Sequence, residues 1–185
     1  MASVANPIVS EQEYLALDEA SEERLEYFGG RIRMMAGGSL EHAAIIFNAG
    51  LALGPLARLR GCVGRSSEAR IKVKSSGQYV YPDLSFACRK SESEGRSLLN
   101  PTLVVEVLSP GTEAYDRGEK RDFYESIPSL EEYLMVHPEE PWVERSRRRG
   151  SVWLYESVRG IDAEIDVLGG TVPLVDLYVG VGFPA

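Results

Sequence analysis

The sequence predicts an α+β fold in which a mixed β-sheet carries a few packed helices. Three observations lead to this class. Short segments of alternating polarity are separated by glycine turns, which is typical of strands joined in hairpins. The segment "LEHAAIIFNAGLALGPLARLRG" repeats its apolar residues at steps of three or four, as a core helix does. The segment "TLVVEVLS" is a continuous apolar stretch between prolines, which indicates a central strand with both faces buried.

The first half of the chain contains four predicted elements. Ser10 and Glu13 have the spacing of a capping box, so a short helix is expected to begin there. The segment "ERLEYFGGRIRMMAG" predicts two strands joined by a turn at Gly29-Gly30. The core helix is expected to end at Gly61. The alternating segment "SEARIKVKSSGQYVYPDLSFACRK" predicts a second hairpin, with Gly77 near its centre.

The second half continues the same alternation of strands and helices. After the central strand, "EAYDRGEKRDFYESIP" predicts a helix that ends before Pro128, and "LEEYLMVHP" predicts a strand. A hairpin is expected to turn near Gly150, and "AEIDVLGGTVPLVDLYVG" predicts a short strand and one helical turn. Because the chain has no repeats and no long linker, we expect residues 1–185 to form a single domain.

Composition narrows the class of protein. The net charge of −8 argues against a surface that binds nucleic acid everywhere, although the arginines of "RSRRRG" leave room for a local basic strip. No segment approaches the ~18 to 20 apolar residues of a membrane helix, and the N-terminus lacks the features of a signal peptide. We therefore expect a cytoplasmic protein without membrane contact. In that compartment Cys62 and Cys88 are expected to be reduced.

Two carboxylates mark the candidate site. Glu106 lies in the middle of the apolar segment "PTLVVEVLSP", and burying its charge costs several kcal/mol unless a partner is present. Asp83 follows Pro82 in the preceding strand segment. Adjacent strands can bring two carboxylates close together, where they repel each other unless a cation lies between them. A hard divalent cation such as Mg²⁺ satisfies both acids.

Two other interpretations of these acids stay open. Glu106 can form a structural salt bridge with Arg70, Lys72 or Lys120. Asp83 can be an ordinary acid at the end of a strand. In that case the chain is a small acidic protein whose carboxylates have only a structural role.

A lysine and two more polar residues can reach the same place. Asp116, Lys120 and Tyr124 follow one another at steps of four, so on a helix they share one face. A lysine beside bound metal can orient a water and stabilise developing negative charge. The competing interpretation of Asp116 and Lys120 is a solvated ion pair. Glu26, before the Gly-Gly turn, and His42, at the start of the core helix, are further candidates.

The order of these motifs resembles the Uma-two family of endonucleases, which belongs to the restriction-endonuclease-like, or PD-(D/E)XK, superfamily. The matching features are, in order, Glu26, "GGRI", His42, "YPD", "LVVEVLSPGTEAYDRGEK", Tyr124 and "EEYLMV". The resemblance covers most of the chain and is most specific over residues 105–124. It implies a central mixed β-sheet flanked by helices, with a core over about residues 14–143.

The resemblance also implies a role for each candidate residue. Asp83 and Glu106 would be the metal ligands, Glu26 a supporting acid and Lys120 the catalytic lysine. His42, Asp116 and Tyr124 would contact this set. The chain departs from the superfamily pattern Glu-x-Lys, because Val107 and Leu108 follow Glu106. The spacing indicates that the role of the missing lysine has moved to Lys120.

We therefore expect a Mg²⁺- or Mn²⁺-dependent nuclease that hydrolyses phosphodiester bonds in DNA. The arginines at 145, 147, 148 and 149 are candidate phosphate contacts, and the default interpretation of that segment is a solvated hairpin tip. The alternative function is a catalytically inactive module of the same fold that acts by binding DNA or protein. A homodimer is expected, because nucleases that cut both strands often pair about a two-fold axis.

Overall fold

The computed structural model describes residues 8–35 and 37–183, which form two six-stranded sheets, a two-stranded sheet and several helices. Within these residues the helices are α1 (Glu11–Ala20), α2 (Leu40–Leu59), α3 (Glu113–Tyr115), α4 (Arg121–Glu125) and α5 (Leu174–Leu177). A π-helical turn, Asp116–Lys120, joins α3 to α4. Residues 1–7, on which part of the signal-peptide expectation rests, lie outside the described residues.

The first sheet contains the predicted hairpin at Gly29-Gly30 and has the strand order β2-β1-β5-β4-β8-β7. Its strands are β1 (Leu25–Phe28), β2 (Arg31–Met34), β4 (Arg70–Val73), β5 (Gln78–Val80), β7 (Ser93–Glu94) and β8 (Ser97–Leu98). Both glycines of the turn have positive φ, which side chains other than glycine rarely adopt. Helix α1 packs beside this sheet and begins with the predicted capping box of Ser10 and Glu13.

The second sheet has the order β12-β11-β10-β9-β6-β3 and carries the candidate site. Its strands are β3 (Val63–Ser66), β6 (Leu84–Ala87), β9 (Leu103–Val107), β10 (Glu132–Val136), β11 (Trp142–Arg149) and β12 (Val152–Arg159). Strand β9 is central: it pairs parallel with β10 and antiparallel with β6, and each of its residues is buried. The predicted central strand and the mixed α+β class are therefore confirmed.

Helix α2 covers one face of the second sheet. Its buried residues Ile45, Ala49 and Leu53 belong to the same apolar cluster as Val105 and Val107 of β9. By length and composition alone, Leu40–Leu59 is long and apolar enough to cross a membrane, with a mean hydropathy of 1.3. The expectation that no segment comes near this threshold was therefore wrong. The helix also buries one face against the sheet, as the core helix of a folded domain does.

The segment that was expected to form one strand through Pro82 and Asp83 is divided between the two sheets. Strand β5 ends at Val80 in the first sheet, and β6 begins at Leu84 in the second. Proline cannot donate a hydrogen bond within a ladder, which favours a break at this position. Asp83 consequently lies at the point where the chain passes from one sheet to the other.

Two further features differ from expectation. Cys62 and Cys88 form a disulfide, because the pairing of Val63 with Ala87 places the residues just beyond these strand ends opposite each other. The expected short strand near the C-terminus is a hairpin of β13 (Glu164–Val167) and β14 (Gly170–Pro173), which leads into α5. The disulfide joins residues that are distant in sequence, whereas β13 and β14 are adjacent segments joined by a tight turn.

Candidate active site

Asp83 and Glu106 meet at the end of the β6–β9 pair. Leu84 pairs with Val105, so the next position outward places Asp83 opposite Glu106. The backbone N–H of Val107 donates to Asp83 Oδ2 at 2.7 Å, which fixes the aspartate against the central strand. Both side chains are almost completely buried. The predicted meeting of these two acids is therefore what the strand register produces.

Lys120 reaches this pair from the π-helical turn. Its ammonium nitrogen lies 2.7 Å from Glu106 Oε1, 3.1 Å from Glu26 Oε1 and 3.7 Å from Asp116 Oδ1. The turn departs from helical geometry at Gly118, and wide turns of this kind occur often at functional sites. Lys120 and Asp116 are buried rather than solvated. Of the three partners considered for Glu106, the one that forms the salt bridge is Lys120.

Neighbouring side chains and backbone groups hold the acids in place. The Tyr124 hydroxyl donates to Glu106 Oε1 at 2.8 Å, and the backbone N–H of Tyr81 donates to Glu26 Oε1 at 2.9 Å. His42 Nε2 lies 2.9 Å from the Val107 carbonyl oxygen, to which it donates, and 3.5 Å from Asp83 Oδ2. All the predicted supporting residues therefore contact the site.

Negative charge exceeds positive charge in this group, which we call the acidic cluster: Glu26, Asp83, Glu106, Asp116 and Lys120. Burial raises the pKa of Glu106 well above its ordinary value, and the nearby carboxylates add to this effect. Burial also raises the pKa of Asp83 and of Asp116. Burial by itself lowers the pKa of Lys120, but Glu106, Glu26 and Asp116 outweigh it and raise that pKa.

The acidic cluster faces a small cavity of about 50 Å³ that opens between the two sheets. Its walls also include Arg33, from β2, and Tyr115, which sequence reasoning did not select. The sequence could have indicated Arg33, because a hairpin that turns at Gly29-Gly30 places residue 33 opposite Glu26. A larger groove of about 560 Å³ adjoins the cavity and shares His42 and Ser109 with it.

The arginine segment lies elsewhere. Arg147 pairs with Glu132 at the start of β10, which is the opposite end of the sheet from Glu106. We call Arg145, Arg147, Glu132 and Glu156 the arginine cluster, because ion pairs join these four side chains. Arg145 is buried, so it is not the solvated hairpin-tip residue that the default interpretation assumed.

The next two arginines differ from each other. Arg148 donates to the carbonyl oxygens of Leu130, Glu125 and Ile127, whereas Arg149 is exposed. The guanidinium groups of Arg145, Arg147 and Arg148 thus have partners inside the protein. The geometry gives no support to a phosphate contact by these three residues near the acidic cluster.

The acids fit a hard divalent cation by their chemistry. The described residues contain no closed group of three or more His, Cys, Asp or Glu in metal-binding geometry. Mg²⁺, however, is commonly held by one or two carboxylates and completes its shell with water and substrate phosphate. Within the described residues, the assigned contacts of Asp83 and Glu106 use Oδ2 and Oε1, which leaves the second oxygen of each for another partner.

The architecture defines the class of protein. A crystal structure from Anabaena variabilis ATCC 29413, described as "a putative nuclease belonging to DUF820", matches with a TM-score of 0.74. The alignment covers 92% of this chain and 98% of that one, at 19% sequence identity. At that identity the match shows the fold, which is α+β and restriction-endonuclease-like, with mixed sheets flanked by helices.

Sequence comparison identifies the family. The model of the Uma2 family, described as "Putative restriction endonuclease", matches residues 11–172, so the chain belongs to that family. Two relatives come from Synechocystis sp. (strain ATCC 27184 / PCC 6803 / Kazusa). "Uncharacterized protein slr1290" is 37% identical over 70% of this chain and 69% of its own length. "Uncharacterized protein sll1609" is 30% identical over 90% of this chain and 96% of its own length.

Proposed function

We propose that this protein is a divalent-metal-dependent nuclease that hydrolyses phosphodiester bonds in DNA. One observation carries the proposal: Asp83 and Glu106 meet at the end of the central strand, beside a buried lysine and a cavity. Asp83 and Glu106 would hold Mg²⁺ or Mn²⁺. When bound, the ion lowers the pKa of a water ligand and neutralises charge on the scissile phosphate.

The residues of the chain itself have separable roles in this proposal. Lys120 lines the cavity, where its positive charge would stabilise an attacking hydroxide and the charge that develops on phosphate. Tyr124 holds Glu106 through Oε1, and the backbone N–H of Val107 holds Asp83 through Oδ2. Glu26 pairs with Lys120 and keeps the ammonium pointing at the acids. His42 braces the end of the central strand through the Val107 carbonyl.

The second candidate is an inactive module of the same fold that binds DNA or protein. The 2.7 Å contact between Lys120 and Glu106 favours it, because an ammonium there already compensates the charge of the strand glutamate. Calorimetry with Mg²⁺ and Mn²⁺ separates the two candidates. A saturable site that is lost in an Asp83→Ala/Glu106→Ala double variant supports the nuclease, whereas no site in either protein supports the module.

Cleavage is the direct test of the proposal. Purified protein is incubated with plasmid, linear duplex and single-stranded DNA in Mg²⁺, in Mn²⁺ and in a chelator. We expect cleavage that needs the metal and disappears in Asp83→Ala and in Glu106→Ala. Glu132→Gln is the matched control, since it also changes a buried strand carboxylate and should still cleave. Cleavage that persists in Asp83→Ala and Glu106→Ala would reveal a contaminating nuclease. Absence of metal-dependent cleavage of every DNA form contradicts the proposal.

We further propose that the protein works as a homodimer, so that two sites can act on the two strands of a duplex. Sedimentation velocity on the purified chain measures the mass directly. A species of twice the chain mass supports the dimer. A monomer, both free and with duplex DNA present, contradicts it.

A further inference from the structure

Arg33 lies on the rim of the cavity, opposite Glu26 in the hairpin register. Its guanidinium stacks on the Tyr115 ring, 4.3 Å from the centroid, and donates to the Gly111 carbonyl at 3.1 Å. Among the contacts assigned within the described residues, Arg33 forms no ion pair with a carboxylate. A guanidinium has five N–H donors, so most of them are available to an acceptor that enters the cavity.

Tyr115 lines the same cavity. Its ring packs against Phe28, with 5.5 Å between centroids, and lies under the Arg33 guanidinium. The hydroxyl oxygen is buried, and within the described part of the chain it has no hydrogen-bond partner. A buried hydroxyl without a partner is unfavourable, so a ligand that brings an acceptor to this position completes the site.

We infer that Arg33 and Tyr115 together bind a phosphate group of the nucleic-acid substrate beside Asp83 and Glu106. Phosphate oxygens accept hydrogen bonds from a guanidinium fork and from a phenol, and the charged bonds among these are the strong ones. The substrate also needs a cation here, since the acidic cluster repels a polyanion. This inference rests on the proposed nuclease function and assigns the contact that brings phosphate to the acids.

Because Arg33 stacks on Tyr115, the two side chains form one phosphate-binding group. Arg33 cannot be replaced by lysine without loss, because an ammonium has neither the planar fork nor the planar face that stacks on a ring. The two side chains come from different parts of the fold, β2 and α3, which meet at the mouth of the cavity. A substrate phosphate would therefore contact residues from both β2 and α3 at once.

Binding of a labelled oligodeoxynucleotide, as a single strand and as a duplex, tests this assignment. Ca²⁺ replaces Mg²⁺ so that affinity is measured apart from cleavage, and a gel checks that the probe stays intact. The variants are Arg33→Ala, Arg33→Lys and Tyr115→Phe. Arg31→Ala is the matched arginine control on the same hairpin, and Tyr155→Phe removes an exposed hydroxyl that bonds Glu125. Thermal melting verifies that each variant is folded.

We expect Arg33→Ala to weaken binding about tenfold and to lower the slope of log affinity against log salt by about one, as loss of one charged phosphate contact does. Arg33→Lys should keep the slope and still bind more weakly than wild type. Tyr115→Phe should weaken binding without changing the slope, because it removes a neutral donor. The two control variants should bind like wild type.

The outcomes separate this assignment from the function on which it rests. If the wild type binds, and Arg33→Ala and Tyr115→Phe weaken binding no more than their control variants do, only the phosphate site is overturned. Weakened binding by these variants, in a protein that never cleaves, supports the phosphate site and overturns the nuclease. No binding of either probe by the wild type overturns both.

Discussion

Two groups of charge surround buried glutamates on neighbouring strands, Glu106 of β9 and Glu132 of β10, and they are built differently. The acidic cluster has, among the described residues, four carboxylates and one ammonium. The arginine cluster pairs two guanidinium groups with two carboxylates. Glu106 faces the core that contains Tyr124, whereas Glu132 faces the side covered by α2.

The difference teaches how to separate a structural charge cluster from a functional one. Balanced charges with partners inside the protein stabilise the place where they lie, since each charge compensates another. An excess of carboxylates facing a cavity does the reverse, because burial and mutual repulsion disfavour the charged forms. This contrast supports the proposal that the acidic cluster receives a cation, whereas the arginine cluster needs none. Four predictions test this contrast.

The largest expected effect is on cleavage. Glu106→Gln should lower the rate of metal-dependent DNA cleavage by more than about 100-fold, the upper end of what loss of an outer-shell partner costs a metal site. Glu132→Gln, on the neighbouring strand, should leave the rate close to that of the wild type, because Glu132 does not line the cavity. Initial rates on a single labelled duplex measure both. Equal losses in the two variants would show that the rate reports only general damage to the sheet.

The next effect is on stability, and here the Glu132 variant is expected to lose more than the Glu106 variant. Glu132→Ala should lower the free energy of unfolding by about 3 kcal/mol, because it leaves buried Arg145 and half-buried Arg147 short of a carboxylate. Glu106→Gln should cost much less in metal-free protein, since Lys120 keeps Glu26 and Asp116 as partners. Urea unfolding in the presence of a chelator measures the difference. A larger loss in Glu106→Gln would contradict the contrast.

A smaller effect is expected in the dependence of stability on pH. The pKa values of Asp83, Glu106 and Asp116 are raised above their ordinary values of 3.8, 4.5 and 3.8. The folded protein therefore holds protons that the unfolded chain releases. This stabilising contribution is complete below the unfolded values and is lost as the pH rises through the raised ones. The pKa of Lys120 is also raised, so its contribution is lost only at alkaline pH, above 10.5.

Melting temperatures from about pH 5 to about pH 8 in a chelator test this sign. Wild-type protein should lose stability over that window relative to the Asp83→Asn/Glu106→Gln double variant. Added Mg²⁺ or Mn²⁺ should restore the wild type by a few degrees and leave the double variant unchanged. Glu132→Gln should melt at a lower temperature but show the same dependence on pH as the wild type. Parallel curves for wild type and double variant would mean that these carboxyls do not titrate in the way proposed.

The smallest expected effect is on DNA affinity at the arginine segment. Arg147→Ala and Arg148→Ala should change the affinity for a labelled duplex by less than about twofold, since their guanidinium groups bind glutamate and backbone carbonyls. Arg149→Ala, an exposed position, is the comparison within the same strand. A tenfold loss in Arg147→Ala would return this segment to the substrate path and weaken the contrast between the two clusters.

The parts of the site that sequence could predict are those set by local periodicity. Glu106 stands out because its strand is apolar on both sides, and Lys120 because its spacing from Asp116 and Tyr124 puts the three on one face. The capping box at Ser10 and the turn at Gly29-Gly30 are likewise decided by residues next to one another. Side-chain chemistry within one turn or one strand therefore carried most of the prediction.

The parts that failed depend on contacts between distant segments. The arginine run looks solvated by composition, yet pairing with β10 and β12 brings Glu132 and Glu156 to it. The division of strands at Pro82 between two sheets, and the disulfide, follow from which strand lies beside which. Tyr115 was overlooked for the same reason, because its place in the cavity depends on the distant hairpin that carries Arg33.

The disulfide has a consequence for limited proteolysis. It joins Cys62 to Cys88, which are 26 positions apart in sequence, and the exposed turn at Lys74, Ser75 and Ser76 lies inside the loop that it closes. A protease that nicks the turn should give a protein that runs as one band on a non-reducing gel and as two bands after reduction. The nick falls between β4 and β5, while Asp83 and Glu106 stay on one fragment. The disulfide should therefore keep the N-terminal fragment, which carries Glu26, covalently linked to the fragment with Asp83 and Glu106 until a reductant separates the two pieces.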